Sequence, residues 1–213
     1  MREDAAVPAA DPEIVELDTP RGPARVHVHA VATPRAWLLL GHGAGGGVHA
    51  PDLRTSAGAA LDRGIGVGLV EQPYRVAGRR SPPRPPALDE AWLAIVAGLR
   101  SGPIGDAPLV LGGRSSGARV ACRTATATGA VGVLCLAFPL EPPRRSSPAP
   151  SRLPELEQPT VPVLVVQGER DPYGMPPAAP GRTVVPVRGD HGLKPEQGRI
   201  GEVVGGWLDD LLA

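Results

Sequence analysis

One serine in the chain stands where a hydroxyl can be turned into a nucleophile. Gly113-Arg114-Ser115-Ser116-Gly117 follows the apolar run Leu109-Val110-Leu111, and small residues at helical spacing, Ala118, Ala121, Cys122 and Ala125, come after it. G-x-S-x-G carries meaning between a strand and a helix. The turn is tight enough to need glycine on both sides, it lifts the hydroxyl to the strand tip, and it aims the next N–H at a developing oxyanion. The frame selects Ser115 over Ser116. A serine hydroxyl also needs a base, and the base needs an acid to orient it; in the fold that carries its serine on such a strand-to-helix turn the chain order is Ser, acid, His. Of five histidines only His191 lies beyond Ser115, in Arg188-Gly189-Asp190-His191-Gly192. Ahead of it the apolar run 163–166 leads into Gln167-Gly168-Glu169-Arg170-Asp171-Pro172. That segment offers Asp171 as the acid. Glu169 and Asp190 are rivals, Asp190 the weaker because adjacent side chains on an extended backbone point apart.

A second loop bears on the same chemistry. Gly41-His42-Gly43-Ala44-Gly45-Gly46-Gly47 follows Trp37-Leu38-Leu39-Leu40. Beside a nucleophilic serine it is expected to supply an oxyanion N–H from Ala44, joining that of Ser116, and one such donor is worth roughly 3 kcal/mol in the transition state. The same residues also spell G-x-G-x-x-G at Gly41, Gly43 and Gly46, with Glu71 at the end of the next apolar run. That is the pattern of a dinucleotide-binding turn. This alternative places two antiparallel strands ahead of the nucleotide-binding unit and leaves Ser115, Asp171 and His191 without a role.

The elements that must position these residues are readable from periodicity. Segments 14–18 and 24–30 flank Thr19-Pro20-Arg21-Gly22 as a hairpin, Val26 and Val28 alternating with His27 and His29. Runs at 37–40, 65–70, 109–111, 131–137, 163–166 and 183–187 are short and almost continuously apolar, as in parallel strands covered on both faces. Helical stripes alternate with them: Leu53, Ala57, Ala60 and Leu61 after Pro51, then Trp92, Ile95, Val96 and Leu99, then the small-residue stripe, then Ile200 to Leu211. The fold class is therefore α/β, a mostly parallel central sheet with an antiparallel start and helices on both faces. Segments 73–87 and 139–162 are proline-rich without a helical stripe. Both follow strands, which places them at the carboxyl edge of the sheet where open α/β folds bind ligands.

Composition sets the outer limits. With 213 residues the chain suits one domain, read as a flexible stretch 1–12 followed by a single domain 13–213. Lys plus Arg and Asp plus Glu both total 22, which gives no pull toward nucleic acid or an anionic membrane. No apolar run approaches the ~20 residues of a membrane span, and a cytoplasmic location is expected. Cys122 and Cys135 sit in apolar contexts and read as small core residues, without metal-ligand spacing. No cofactor or metal is expected. Gly 28 and Pro 27 lie mainly in turns and loops.

Together the GHGAGG loop, GGRSSGAR, VPVLVVQGERDPYG and GDHGL resemble the α/β-hydrolase superfamily, and within it the small dienelactone-hydrolase-like serine hydrolases. The resemblance runs from about Trp37 to the C-terminus. It implies Ser115 as nucleophile, His191 as base, Asp171 as orienting acid, and Ala44 and Ser116 as oxyanion donors. Dienelactone hydrolases proper carry a cysteine nucleophile where this chain has serine, so their substrate is not carried over. Many relatives place a helical lid after the sixth strand, whereas the proline-rich 141–162 implies no substantial lid. The expected function is hydrolysis of small soluble esters or thioesters through an acyl-enzyme, by a monomer or homodimer. The alternative is a hydrolase-like binding or scaffold module with little turnover. Arg75, Arg79 and Arg144, with neighbouring arginines, mark a substrate rim that suits an acidic substrate or simply keeps proline-rich loops solvated.

Overall fold

A computed structural model describes residues 11–142 and 150–213. Eight strands run through it: β1 (Glu13–Thr19), β2 (Gly22–His29), β3 (Ala36–Gly41), β4 (Ile65–Glu71), β5 (Leu109–Arg114), β6 (Gly132–Leu136), β7 (Val163–Gly168) and β8 (Arg182–Val187). The helices are α1 (Pro51–Leu61), α2 (Pro73–Val76), α3 (Pro85–Arg100), α4 (Ser116–Thr128), α5 (Leu153–Leu156) and α6 (Gln197–Leu211). All eight strands form one sheet in the order β1-β2-β4-β3-β5-β6-β7-β8. The β1–β2 and β2–β4 pairs are antiparallel and every later pair is parallel. This is the α/β-hydrolase architecture anticipated above.

The strands that read as continuous apolar runs are buried on both faces. Trp37 and Leu39 of β3 join the cluster beneath α3 and α4, while Leu38 and Leu40 join the opposite cluster beneath α1 and α6. The period-2 alternation of a strand distributes one sequence between two cores, each buried Leu or Val contributing about 1.5–3 kcal/mol. Space for Trp37 comes from β4, where a Cβ on Gly66 would sit 2.8 Å from its ring. Cys122 and Cys135 are buried, with Sγ atoms 3.5 Å apart.

Two proline-rich segments hold more structure than their sequences disclose. Pro73 and Pro85 each begin a helix, α2 and α3, at the position where a missing N–H costs nothing. The segment 139–162 contains the four-residue α5. Among the described residues that is the only helix between β6 and β7, and they form no substantial lid over the sheet edge there. The expected flexible stretch 1–12 falls almost wholly outside the described residues, as does Arg144.

Chain order creates the crevice that the site uses. From β3 the chain steps outward to β4, then crosses back over β3 to reach β5. The loops leaving β3 and β5 therefore diverge at the carboxyl edge, the switch point at which open α/β sheets bind ligands.

Candidate active site

Ser115 is the single residue between β5 and α4. Its backbone sits at φ 52, ψ −106, a left-handed conformation that costs a non-glycine residue roughly 1–3 kcal/mol. The surroundings impose it. A Cβ on Gly113 would lie 2.5 Å from the Gly41 carbonyl oxygen and 2.7 Å from the Gly117 carbonyl carbon, and one on Gly117 would overlap the Gly41 carbonyl. Both glycines of the motif are thus required because β3 passes directly against the turn. The Ser115 N–H donates to the Leu136 carbonyl at 2.9 Å, tying the turn to β6.

Three side chains anticipated as a set converge here. His191, in the turn between β8 and α6, has Nε2 3.0 Å from Ser115 Oγ and Nδ1 2.8 Å from Asp171 Oδ2. A carboxylate only accepts, so this pairing assigns the ring proton to Nδ1 and leaves the Nε2 lone pair facing the serine hydroxyl. The Asp171 carboxyl is almost fully enclosed, with 1 % of its side chain exposed. Its Oδ2 also accepts from Gln167 Nε2 at 2.9 Å, and its Oδ1 from the Tyr173 N–H at 2.9 Å. Neither rival takes this place. Asp190 Oδ1 accepts from the Gly192 N–H at 2.8 Å, closing the turn that presents His191, and the Glu169 side chain is exposed.

Gln167 and Tyr173 belong to the site although the sequence reading passed over them. Gln167 is fully buried, and its amide lies within hydrogen-bond distance of the Phe138 and Gly174 carbonyls as well as Asp171. A polar residue next to the end of the otherwise apolar VLVVQG strand was the available signal, since a buried amide must find partners. The Tyr173 ring packs edge-on against the His191 ring at 4.6 Å between centroids, and no sequence pattern announced it.

The loop after β3 is held by its own polar groups. His42 Nδ1 donates to the Gly43 carbonyl at 2.9 Å, and its Nε2 accepts from the Gln72 N–H at 3.2 Å. Burial pushes the His42 pKa below its usual value, favouring the neutral ring that both donates and accepts. The Gly43 carbonyl also accepts from the Gly46 N–H at 3.1 Å. With that carbonyl pinned, the trans peptide turns the Ala44 N–H the opposite way. Tyr74 Oη donates to the Ala44 carbonyl at 2.9 Å, and burial pushes its pKa up to about 12. Ser116 opens α4, where a first-turn N–H has no intrahelical acceptor. Gly41 and Gly43 are small for reasons internal to the fold: they lie against Gly117 and the Arg114 guanidinium. Among the rim arginines, half-buried Arg75 donates to the Arg79 carbonyl at 3.3 Å and Arg79 is exposed. Among the described residues neither hydrogen-bonds to Ser115, Asp171 or His191.

Sequence comparison finds a match between residues 34–199 and the family of the alpha/beta hydrolase domain. No curated protein sequence matches the chain. Among solved structures, a serine hydrolase without a lid from Xanthomonas campestris is similar at TM-score 0.76 and 21% identity, covering 96% of each chain. Est1E from Butyrivibrio proteoclasticus gives TM-score 0.75 at 11% identity, over 93% of this chain and 98% of that one. A dienelactone hydrolase from Anabaena variabilis gives TM-score 0.69 at 14% identity, over 94% and 99%. At these identities the structural similarity establishes the shared fold alone. Among the described residues no helix is long and apolar enough to cross a membrane.

Proposed function

The chain belongs to the α/β-hydrolase family, and from that premise we propose that it cleaves small carboxylic esters or thioesters by a serine nucleophile through an acyl-enzyme. The observation that carries this reading is the unbroken contact chain from Asp171 through His191 to the strained Ser115. Ser115 Oγ attacks the substrate carbonyl carbon while His191 Nε2 takes its proton, and the Asp171 carboxylate stabilises the imidazolium that results. The tetrahedral oxyanion is received by the N–H groups of Ala44 and Ser116, each worth roughly 3 kcal/mol. His191 then gives its proton to the leaving oxygen or sulfur as that bond breaks. A water activated by the same imidazole attacks the acyl-Ser115 carbonyl and releases the acid.

Substrate size follows from what borders the site. With only α5 between β6 and β7, the described structure offers no apolar cover for a long acyl chain, which favours short, soluble substrates. Arg75, which follows the Tyr74 that supports the Ala44 carbonyl, and Arg79 are proposed to favour an ester carrying an anionic group. Equal kcat/KM for neutral and anionic esters of the same chain length removes that preference.

The test of the reaction is stopped-flow hydrolysis of p-nitrophenyl acetate. One equivalent of nitrophenolate should appear rapidly per chain before a slower steady state, and His191→Ala should abolish both phases. Hydrolysis by the parent no faster than by His191→Ala overturns the proposal.

A further inference from the structure

We propose that Arg114, the residue preceding the nucleophile, is a positioning residue that clamps the three catalytic loops onto one guanidinium. This rests on the serine-hydrolase reading above and gives a role to a position whose residue type the G-x-S-x-G pattern leaves open. Arg114 ends β5, and its side chain is 19% exposed. Each of its three guanidinium nitrogens meets a different segment. Nε lies 3.0 Å from Asp52 Oδ2, in the first turn of α1. Nη2 donates to the main-chain carbonyl of His191 itself at 2.7 Å. Nη1 lies against Gly43, where a Cβ would sit 3.1 Å away. The oxyanion loop, the nucleophile turn and the histidine loop thus share one planar group fixed to the backbone next to Ser115.

The chemistry of arginine suits this task. A guanidinium presents donors in a rigid plane, so one side chain can fix several acceptors at set angles, which the point charge of lysine cannot do. Its counter-ion is built in, because the Asp52 side chain is fully buried and its other oxygen accepts from the Leu53 N–H at 3.0 Å. The carbonyl that Arg114 holds belongs to the residue whose ring must reach Ser115 Oγ and Asp171 at once. Releasing it frees the imidazole to shift, and a displacement of about 1 Å costs on the order of 100-fold in rate. A group that only stabilised the fold would not single out the chemical step.

The experiment compares the parent with Arg114→Lys, Arg114→Met and the double variant Arg114→Met/Asp52→Asn. Each is measured for thermal midpoint, for kcat and KM on p-nitrophenyl acetate, and for the rate at which a small fluorophosphonate labels Ser115. Arg114→Met strands a buried carboxylate and lowers the midpoint. The double variant removes the stranded charge and regains much of it. The clamp predicts that kcat and the labelling rate stay on the order of 100-fold below the parent in the double variant, with KM changed less than threefold, and that Arg114→Lys loses at least tenfold in kcat. Should Arg114→Met fail to fold, the other two variants decide. A double variant that recovers kcat together with its midpoint, or an Arg114→Lys protein with parental kcat, overturns the clamp. A parent that takes no label overturns the hydrolase reading as well, whereas a labelled parent matched by its variants overturns the clamp alone.

Discussion

Replacing Ser115 by glycine should stabilise the protein relative to replacing it by alanine, although neither variant should turn over substrate. Both substitutions remove the hydroxyl and its 3.0 Å contact with His191 Nε2, so that loss cancels in the comparison. What remains is the Cβ held at φ 52, ψ −106. A side chain there costs roughly 1–3 kcal/mol, and glycine is free of it. Against this, glycine widens the unfolded ensemble by about 0.4–1 kcal/mol. The balance leaves Ser115→Gly more stable than Ser115→Ala by roughly 1–2 kcal/mol. At about 2–4 °C per kcal/mol for a domain of this length, the melting temperatures should separate by several degrees. Urea unfolding of the two variants, fitted with a common m-value, measures the difference directly. An alanine variant as stable as the glycine one, or more stable, would falsify the claim that the turn is strained to present this serine.

Three further outcomes follow from the geometry. Gly117→Ala sets a methyl on the Gly41 carbonyl, with backbone on both sides and no flexible group to yield; it should cost about 3 kcal/mol in urea unfolding, and a loss under ~0.5 kcal/mol contradicts the close packing of the turn on β3. Asp171→Asn presents a donor to His191 Nδ1 and moves the ring proton to Nε2, so kcat should fall by about 10⁴; near-parental kcat moves the acid elsewhere. Burial depresses the pKa of His42, so the unfolded chain binds a proton near pH ~6.5 that the fold resists. The resulting stability is complete above that pH and is lost as pH falls toward the depressed folded value. His42→Gln, which keeps a donor and an acceptor, should flatten the decline below pH ~6 by up to about 1.4 kcal/mol per pH unit; parallel stability curves for the two proteins count against it.

Much of this was legible in the sequence because the physics there is local. Leu38, Leu39 and Leu40 read as a strand because burial on both faces demands apolar residues at every position. Chain order reduced five histidines to His191, and the structure places it against Ser115 and Asp171. The rest depends on distant segments meeting. Arg114 and Asp52 are separated by one strand and two helices, and no periodicity links them. Tyr74 supports the Ala44 carbonyl from a segment whose prolines read as loop, yet Pro73 opens a helical turn because its missing N–H falls where none is used. Gln167 stood in the sequence only as the residue after the apolar run 163–166 and proves to be a buried partner of the acid.

The central claim, that Ser115 is an activated nucleophile, is tested most directly by intact mass after treatment with a small fluorophosphonate. The account predicts a single adduct on the parent chain, none on Ser115→Ala, and slow labelling of His191→Ala. A folded parent that gains no mass contradicts it and leaves a hydrolase-like binding module as the reading.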